Sequence, residues 1–164
     1  MSTMQYNREA AISYAHKWAN ARNPKYANFE DMGGDCTNFS SQCLFAGTGV
    51  MNHTKDTGWF YYSLNSRAPA WTSVNFLYVF LLNNTGLGPF GHETSIHEIS
   101  EGDLVQLKFD KPEFQHTPFI VSIGKPFGMG SILVAAHTID CDYRPINTYD
   151  FRDIRFIHID GYRR

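Results

Sequence analysis

The chain has 164 residues, 43% of them hydrophobic and 18% charged, with a formal net charge of −2. This is the composition of one globular domain, 1–164, able to bury a core without disulfides or metals, and it excludes a disordered chain. With 14 basic against 16 acidic residues there is no basic field, so no nucleic-acid partner is expected.

Met1 to Arg8 has no apolar signal-peptide core, and the most apolar run, Phe76 to Leu82, is too short to span a bilayer. The expectation is a protein without membrane attachment. It is cytoplasmic as it stands, or secreted, spore- or wall-associated if a leader has been removed. In chain order, Asn7 can cap a first helix, with Glu9 in the first turn where the dipole favours an acid. Ala11, Ala15 and Trp18 form its apolar stripe, and Asn23-Pro24 ends it. Gly33-Gly34 breaks the chain before Asp35, the expected cap of a second helix with Phe39, Cys43 and Ala46 on its apolar face and Gly47 and Gly49 as its stop. Trp59, Tyr61, Tyr62 and Trp71 follow in a loop-rich stretch. They are core residues or, for Trp59 and Trp71, walls of a substrate groove. Ser73 can cap a third helix, Val74 to Leu82.

The second half reads as strands: 103–109, 117–123, 131–138 and 155–160. Pro118 falls inside the second of these and needs an edge or a bulge. Helices first and strands after give an α+β fold with an antiparallel sheet.

The chemistry concentrates in Gly33-Gly34-Asp35-Cys36-Thr37-Asn38-Phe39-Ser40-Ser41-Gln42. With Asp35 as cap, Cys36 is the first helical residue. There the helix dipole should lower its pKa, and free N–H groups can receive an oxyanion. A cysteine nucleophile needs a base and a group that orients the base. His116 opens one strand and His137 closes the next. If their hairpin pairs symmetrically about Pro126-Phe127, the two histidines lie opposite each other on one face; a slip of one residue separates them. Asp140, just beyond, is the other candidate to orient His116. Cys43 reads as a core thiol and Cys141 as a surface thiol or a partner for a disulfide. The three cysteines lack the paired spacing of zinc sites, so neither metal nor cofactor is expected.

Asp35-Cys36-Thr37-Asn38-Phe39 opening a helix, Gly102-Asp103-Leu104-Val105 opening a strand, and His116 at a strand start together resemble the NlpC/P60-like, papain-type superfamily. Within it, the motif from Gly33 to Leu44, Asn23-Pro24-Lys25-Tyr26, Gly58-Trp59, Trp71 and Ala136-His137-Thr138-Ile139-Asp140 resemble the bacterial family described as a putative amidase domain, over nearly the whole chain. The resemblance implies a papain-like α+β fold with the cysteine helix packed on an antiparallel sheet. It implies Cys36 as nucleophile, His116 as base, and His137 by position as third member, with Asp140 left as the rival. The implied activity is hydrolysis of a peptide or amide bond through a thioester, with bacterial cell-wall peptides as one substrate class. An acyltransferase or transpeptidase using the same Cys–His site, and a catalytically silent binding module, are the alternatives.

Overall fold

The computed structural model describes all residues, 1–164. Asn7 caps α1 (Arg8–Trp18) as its residue type dictates: Oδ1 accepts the N–H of Ala10 at 3.0 Å. Ala11 and Ala15 on the inner stripe let α1 lie close against α2 (Cys36–Thr48). Gly49 closes α2 in the left-handed conformation, its N–H returning to Phe45 O at 2.7 Å. Ser73 caps α4 (Val74–Asn83) after a short α3 (Pro69–Thr72), which starts on the proline as a first-turn residue should.

The strands are β1 (Thr3–Met4), β2 (Tyr61–Ser63), β3 (Ser66–Arg67), β4 (Gly88–Thr94), β5 (Leu104–Lys108), β6 (Phe119–Ile123), β7 (Ile132–Ala136), β8 (Cys141–Pro145) and β9 (Asp153–Arg163). β2 and β3 form a separate hairpin, and the other seven make one curled antiparallel sheet. Its longest strand, β9, pairs with β4 on one edge and with β1 and β5 on the other; β6, β7 and β8 follow outward from β5. Pro118 is not inside a strand: β6 starts at Phe119, and His116 reaches β5 through an isolated bridge to Leu107. The pairing β4–β9 bulges between Phe90 and Gly91, and a Cβ at Gly91 would stand 2.1 Å from His158 O, so only glycine fits.

Alternation along the strands separates two cores. Leu104, Phe119, Val121, Ala135 and Ile157 face the helices with Phe39, Cys43 and Leu44 of α2. Val105, Leu107, Ile120, Val134 and Phe156 face the other way, onto Ile132 and Ile146. The result is an α+β fold with the cysteine-bearing helix packed on an antiparallel sheet. No helix is long and apolar enough to cross a membrane.

Candidate active site

α2 departs from the expected single apolar face: every residue from Cys36 to Leu44 is buried, the polar ones included. Each polar side chain therefore needs an internal partner, and each has one. Ser41 Oγ donates to Trp71 O and accepts from Trp59 Nε1, Asn38 bonds Ala27 O, Asp35 and Trp71 Nε1, and Gln42 Oε1 accepts from Tyr14 Oη. The first turn is clamped to one residue, Thr117, two before β6. Its Oγ1 lies 3.1 Å from Thr37 Oγ1, and its carbonyl accepts Ser40 Oγ at 2.7 Å.

Cys36 Sγ sits inside that clamp. Thr37 Oγ1 is 3.7 Å away, and the backbone N–H groups of Thr117 and Thr37 are near it. These donors favour a thiolate. The side chain is only 6% exposed, however, and burial outweighs them, so the thiol is pushed above its ordinary value. The expected lowering at a helix N-terminus is not realised. Asp35 is likewise not a side-chain cap of α2. Its Oδ1 accepts from Phe29 N at 2.8 Å and Asn38 Nδ2 at 2.9 Å, and its Oδ2 faces His137 Nδ1 at 2.5 Å. Burial alone would raise this carboxyl; the hydrogen bonds of His137, Asn38 and Phe29 reverse the effect and hold it below the usual range.

Beyond its bond to Asp35, His137 meets Trp18 O at 2.8 Å through Nε2, and its ring stacks on Phe39 at 4.2 Å. Both polar partners accept. Arg22 adds a cation 3.5 Å from Asp35 Oδ2 and grips Asp140 with both terminal nitrogens at 2.7 and 2.9 Å. Glu30 joins Arg22 to Thr138, whose Oγ1 accepts Asp35 N. Thr138 and Ile139 hold this corner in the left-handed region, at φ 64° and 59°.

The register decides what this means for the expected triad. Phe119 pairs with Ala135 and Ile120 with Val134, and the bulge falls just beyond, between Ile120 and Ser122. Continued toward the site, that ladder sets position 117, not 116, across from position 137. Thr117 and His137 accordingly face α2. The ring of His116 packs near Phe109 and Tyr149, at 6.4 and 5.5 Å, on the other side. Neither His137 nor Asp140 bonds His116, so the expected orienting contact is not formed. The turn-side register, Ile123 with Ile132, is two residues from the symmetric one; the bulge takes back one of them and leaves the two histidines on opposite faces. His116 is 6% exposed, its Nε2 is buried without any partner, and burial, with the nearby charge of Arg144 adding, brings its pKa down to about 4. No hydrogen bond joins its ring to Cys36 Sγ.

A cavity of about 420 Å³ opens between Gly33-Gly34, the segment 72–75 and the loop 111–115; Cys36 and His116 are not in its wall. Gly34 lies two residues before Cys36, and Gln115 immediately precedes His116. Both glycines take positive φ, 99° and 105°, which lets this wall turn without side chains.

The family model described as "Putative amidase domain" matches residues 5–159. The chain belongs to this family. Among curated proteins, this amidase-domain chain is similar to the uncharacterized protein YhbB of Bacillus subtilis (strain 168), 35% identical over 144 residues. The match covers 85% of the chain and 44% of YhbB, so the chain spans less than half of that relative. No solved structure matches it.

Within this amidase domain, the groove assignment of two tryptophans is corrected. Trp59 and Trp71 are fully buried with rings 4.7 Å apart, and their indole N–H groups are spent on Ser41 and Asn38. They hold α2 from behind. Cys43 is buried and Cys141 half-buried, its Sγ 3.5 Å from Tyr149 Oη; all three cysteines are free thiols. No cluster of three or more His, Cys, Asp or Glu side chains is placed to hold a metal ion. Sequence reasoning missed Thr117, Thr37 and Ser40, which fix the thiol, and Arg22, Glu30 and Thr138, which fix Asp35. Thr37 and Ser40, three apart in the buried stretch of α2, carried a readable signal; Arg22 and Glu30 lie in loops and carried none.

Proposed function

We propose that the domain hydrolyses amide bonds with Cys36 as nucleophile and His116 as general base, on a papain-type scaffold. The family supplies the reaction class. The observation that carries the mechanism is the setting of Cys36: first residue of α2, in a turn that Thr37 and Ser40 tie to Thr117, the residue that follows His116. His116 is thus one residue from that tie, although its ring packs near Phe109 and Tyr149 and must turn to reach the thiol.

Thiol and imidazole are both neutral near pH 7, so His116 starts in the form that accepts a proton. A substrate carbonyl in the glycine-walled cavity draws the two together. The thiol proton passes to His116 as sulfur bonds the carbonyl carbon. The oxyanion is received by N–H groups of the first turn of α2. The C–N bond then breaks, the amine takes the proton from His116, and a thioester remains. Water, deprotonated by His116, releases the acid and restores the thiol. His137 acts from a distance by fixing Asp35 and hence the start of α2.

The test is acid-quenched mass spectrometry after incubation with peptide amides, bacterial cell-wall peptides first among them. The expected result is a hydroxylamine-sensitive acyl group on the Cys36 peptide, with turnover lost in Cys36→Ala. Turnover that survives in Cys36→Ala overturns the reading.

A further inference from the structure

The cavity walled by Gly33-Gly34, which ends two residues short of Cys36, contains a cation that forms no ion pair. Arg67 is half-buried at the end of β3 and lines the cavity together with Phe29, Thr72 and Lys111. Three contacts hold its side chain, none of them acidic. Nε donates to Thr72 Oγ1 at 3.1 Å, Nη1 donates to Leu64 O, and the guanidinium lies 4.5 Å over the ring of Phe29. Nη2 has no partner and is not buried. Arg8 and Arg22 are spent on carboxylates. Arg144 and Arg163 are held as Arg67 is, by neutral groups and a ring beneath, but neither lines this cavity. An arginine stacked and bonded into one orientation has already lost most of its side-chain freedom, and a free edge in that state is a prepared anion site.

We infer that Arg67 anchors a carboxylate of the substrate, so that the enzyme selects peptides carrying an acidic group near the scissile amide. This rests on the reading of Cys36 as nucleophile. Lys111, also without an ion-pair partner, stands on the loop across the cavity and adds long-range attraction. Glu113 on the same loop carries the opposite charge, which favours one carboxylate over two. Phe114 supplies an apolar wall for the chain between the anchored group and the amide.

The experiment uses bromoacetyl-glycine, bromoacetyl-β-alanine and bromoacetyl-4-aminobutyrate beside their methyl amides. Alkylation rates at Cys36 and Cys141 are read by peptide mass spectrometry. Dividing by Cys141 removes intrinsic reactivity. For one of the three lengths the carboxylate is expected to beat its amide at Cys36 by about tenfold, the scale of one charge-assisted hydrogen bond. Arg67→Gln should abolish that preference, and Arg67→Lys should keep part of it. A carboxylate-to-amide ratio equal to that at Cys141 for every length, or one unchanged in Arg67→Gln, overturns the assignment.

A second readout is independent of the thiol: the Arg67 Nε–H resonance of the wild type, titrated with N-acetylglycine and with its methyl amide. A saturable shift with the acid alone supports the anchor, and no shift with either overturns it. If acid-quenched mass spectrometry finds no acyl group on Cys36, the nucleophile reading falls while this titration still judges Arg67.

Discussion

Two buried histidines stand on adjoining strand ends and meet opposite fates. His137 has a partner at each ring nitrogen, Asp35 and the carbonyl of Trp18, and an aromatic ring beneath it. His116 has a buried nitrogen with no partner at all and a pKa brought down to about 4 by burial. A saturated histidine is a clamp, because any proton movement breaks a bond that the fold uses. An unsatisfied one costs stability and leaves a lone pair or a proton available, which is what a base requires.

The sharpest way to separate the two is to remove each. His137→Ala strips Asp35 of its main partner in a fully buried position. A loss of about 3–5 kcal/mol is expected in denaturant unfolding, as for other broken buried pairs. His116→Gln should instead leave stability at pH 7 within about 1 kcal/mol, while turnover falls by roughly 10²–10⁴. Equal stability losses for both variants would erase the distinction.

Acid gives the next effect in size. Between the ordinary histidine value and about 4, the unfolded chain takes up a proton at position 116 that the folded chain refuses. Falling pH therefore favours unfolding in that window, and the stability present above it is lost. Wild type should lose about 2–3 kcal/mol from His116 between pH 7 and 4.5, and His116→Gln should lose that much less. Asp35, held below the usual carboxylate range, works in a lower window: its contribution is present above the ordinary value and disappears only as pH drops through the folded one. A single broad loss identical in both proteins would show that His116 is not buried neutral.

Trp71→Phe tests the clamp from behind. Loss of the indole N–H leaves Asn38 Oδ1 short of a donor in the core, and about 1–2 kcal/mol of stability should go with it. KM should not move, since the ring meets no substrate; a raised KM would restore the groove reading. The smallest effect belongs to Asp140→Ala. Its bond to Arg22 is part-exposed, so about 0.5 kcal/mol is expected, with turnover kept. A collapse of turnover would return Asp140 to the catalytic set.

Local chemistry announces the helices well: Asn7 and Ser73 cap where their side chains can, and Gly49 stops α2. β4 was hidden because Gly88, Pro89 and Gly91 read as a turn, whereas the glycine is there for close approach to β9. β8, with Asp142 and Arg144, has little apolar alternation to betray it. At the site, the order Cys36, His116, His137 was visible, but its geometry was not. One bulge between Ile120 and Ser122 shifts the register by a residue, and nothing in that run distinguishes a bulged strand from a straight one. The thiol's raised pKa was equally out of reach, because a helix start says nothing about how deeply the rest of the fold buries it.

The clamp around the thiol also bears on how the chain becomes active. Asp35 finds His137 across 102 residues, and Thr37 finds Thr117 across 80. Contacts of such span form only after the loops between them close, which places them late in folding. The helix can appear early, but its cysteine acquires its setting only when the C-terminal strands dock. A partly folded or clipped chain would therefore carry an ordinary thiol, and catalytic competence would arrive in one step with the finished sheet.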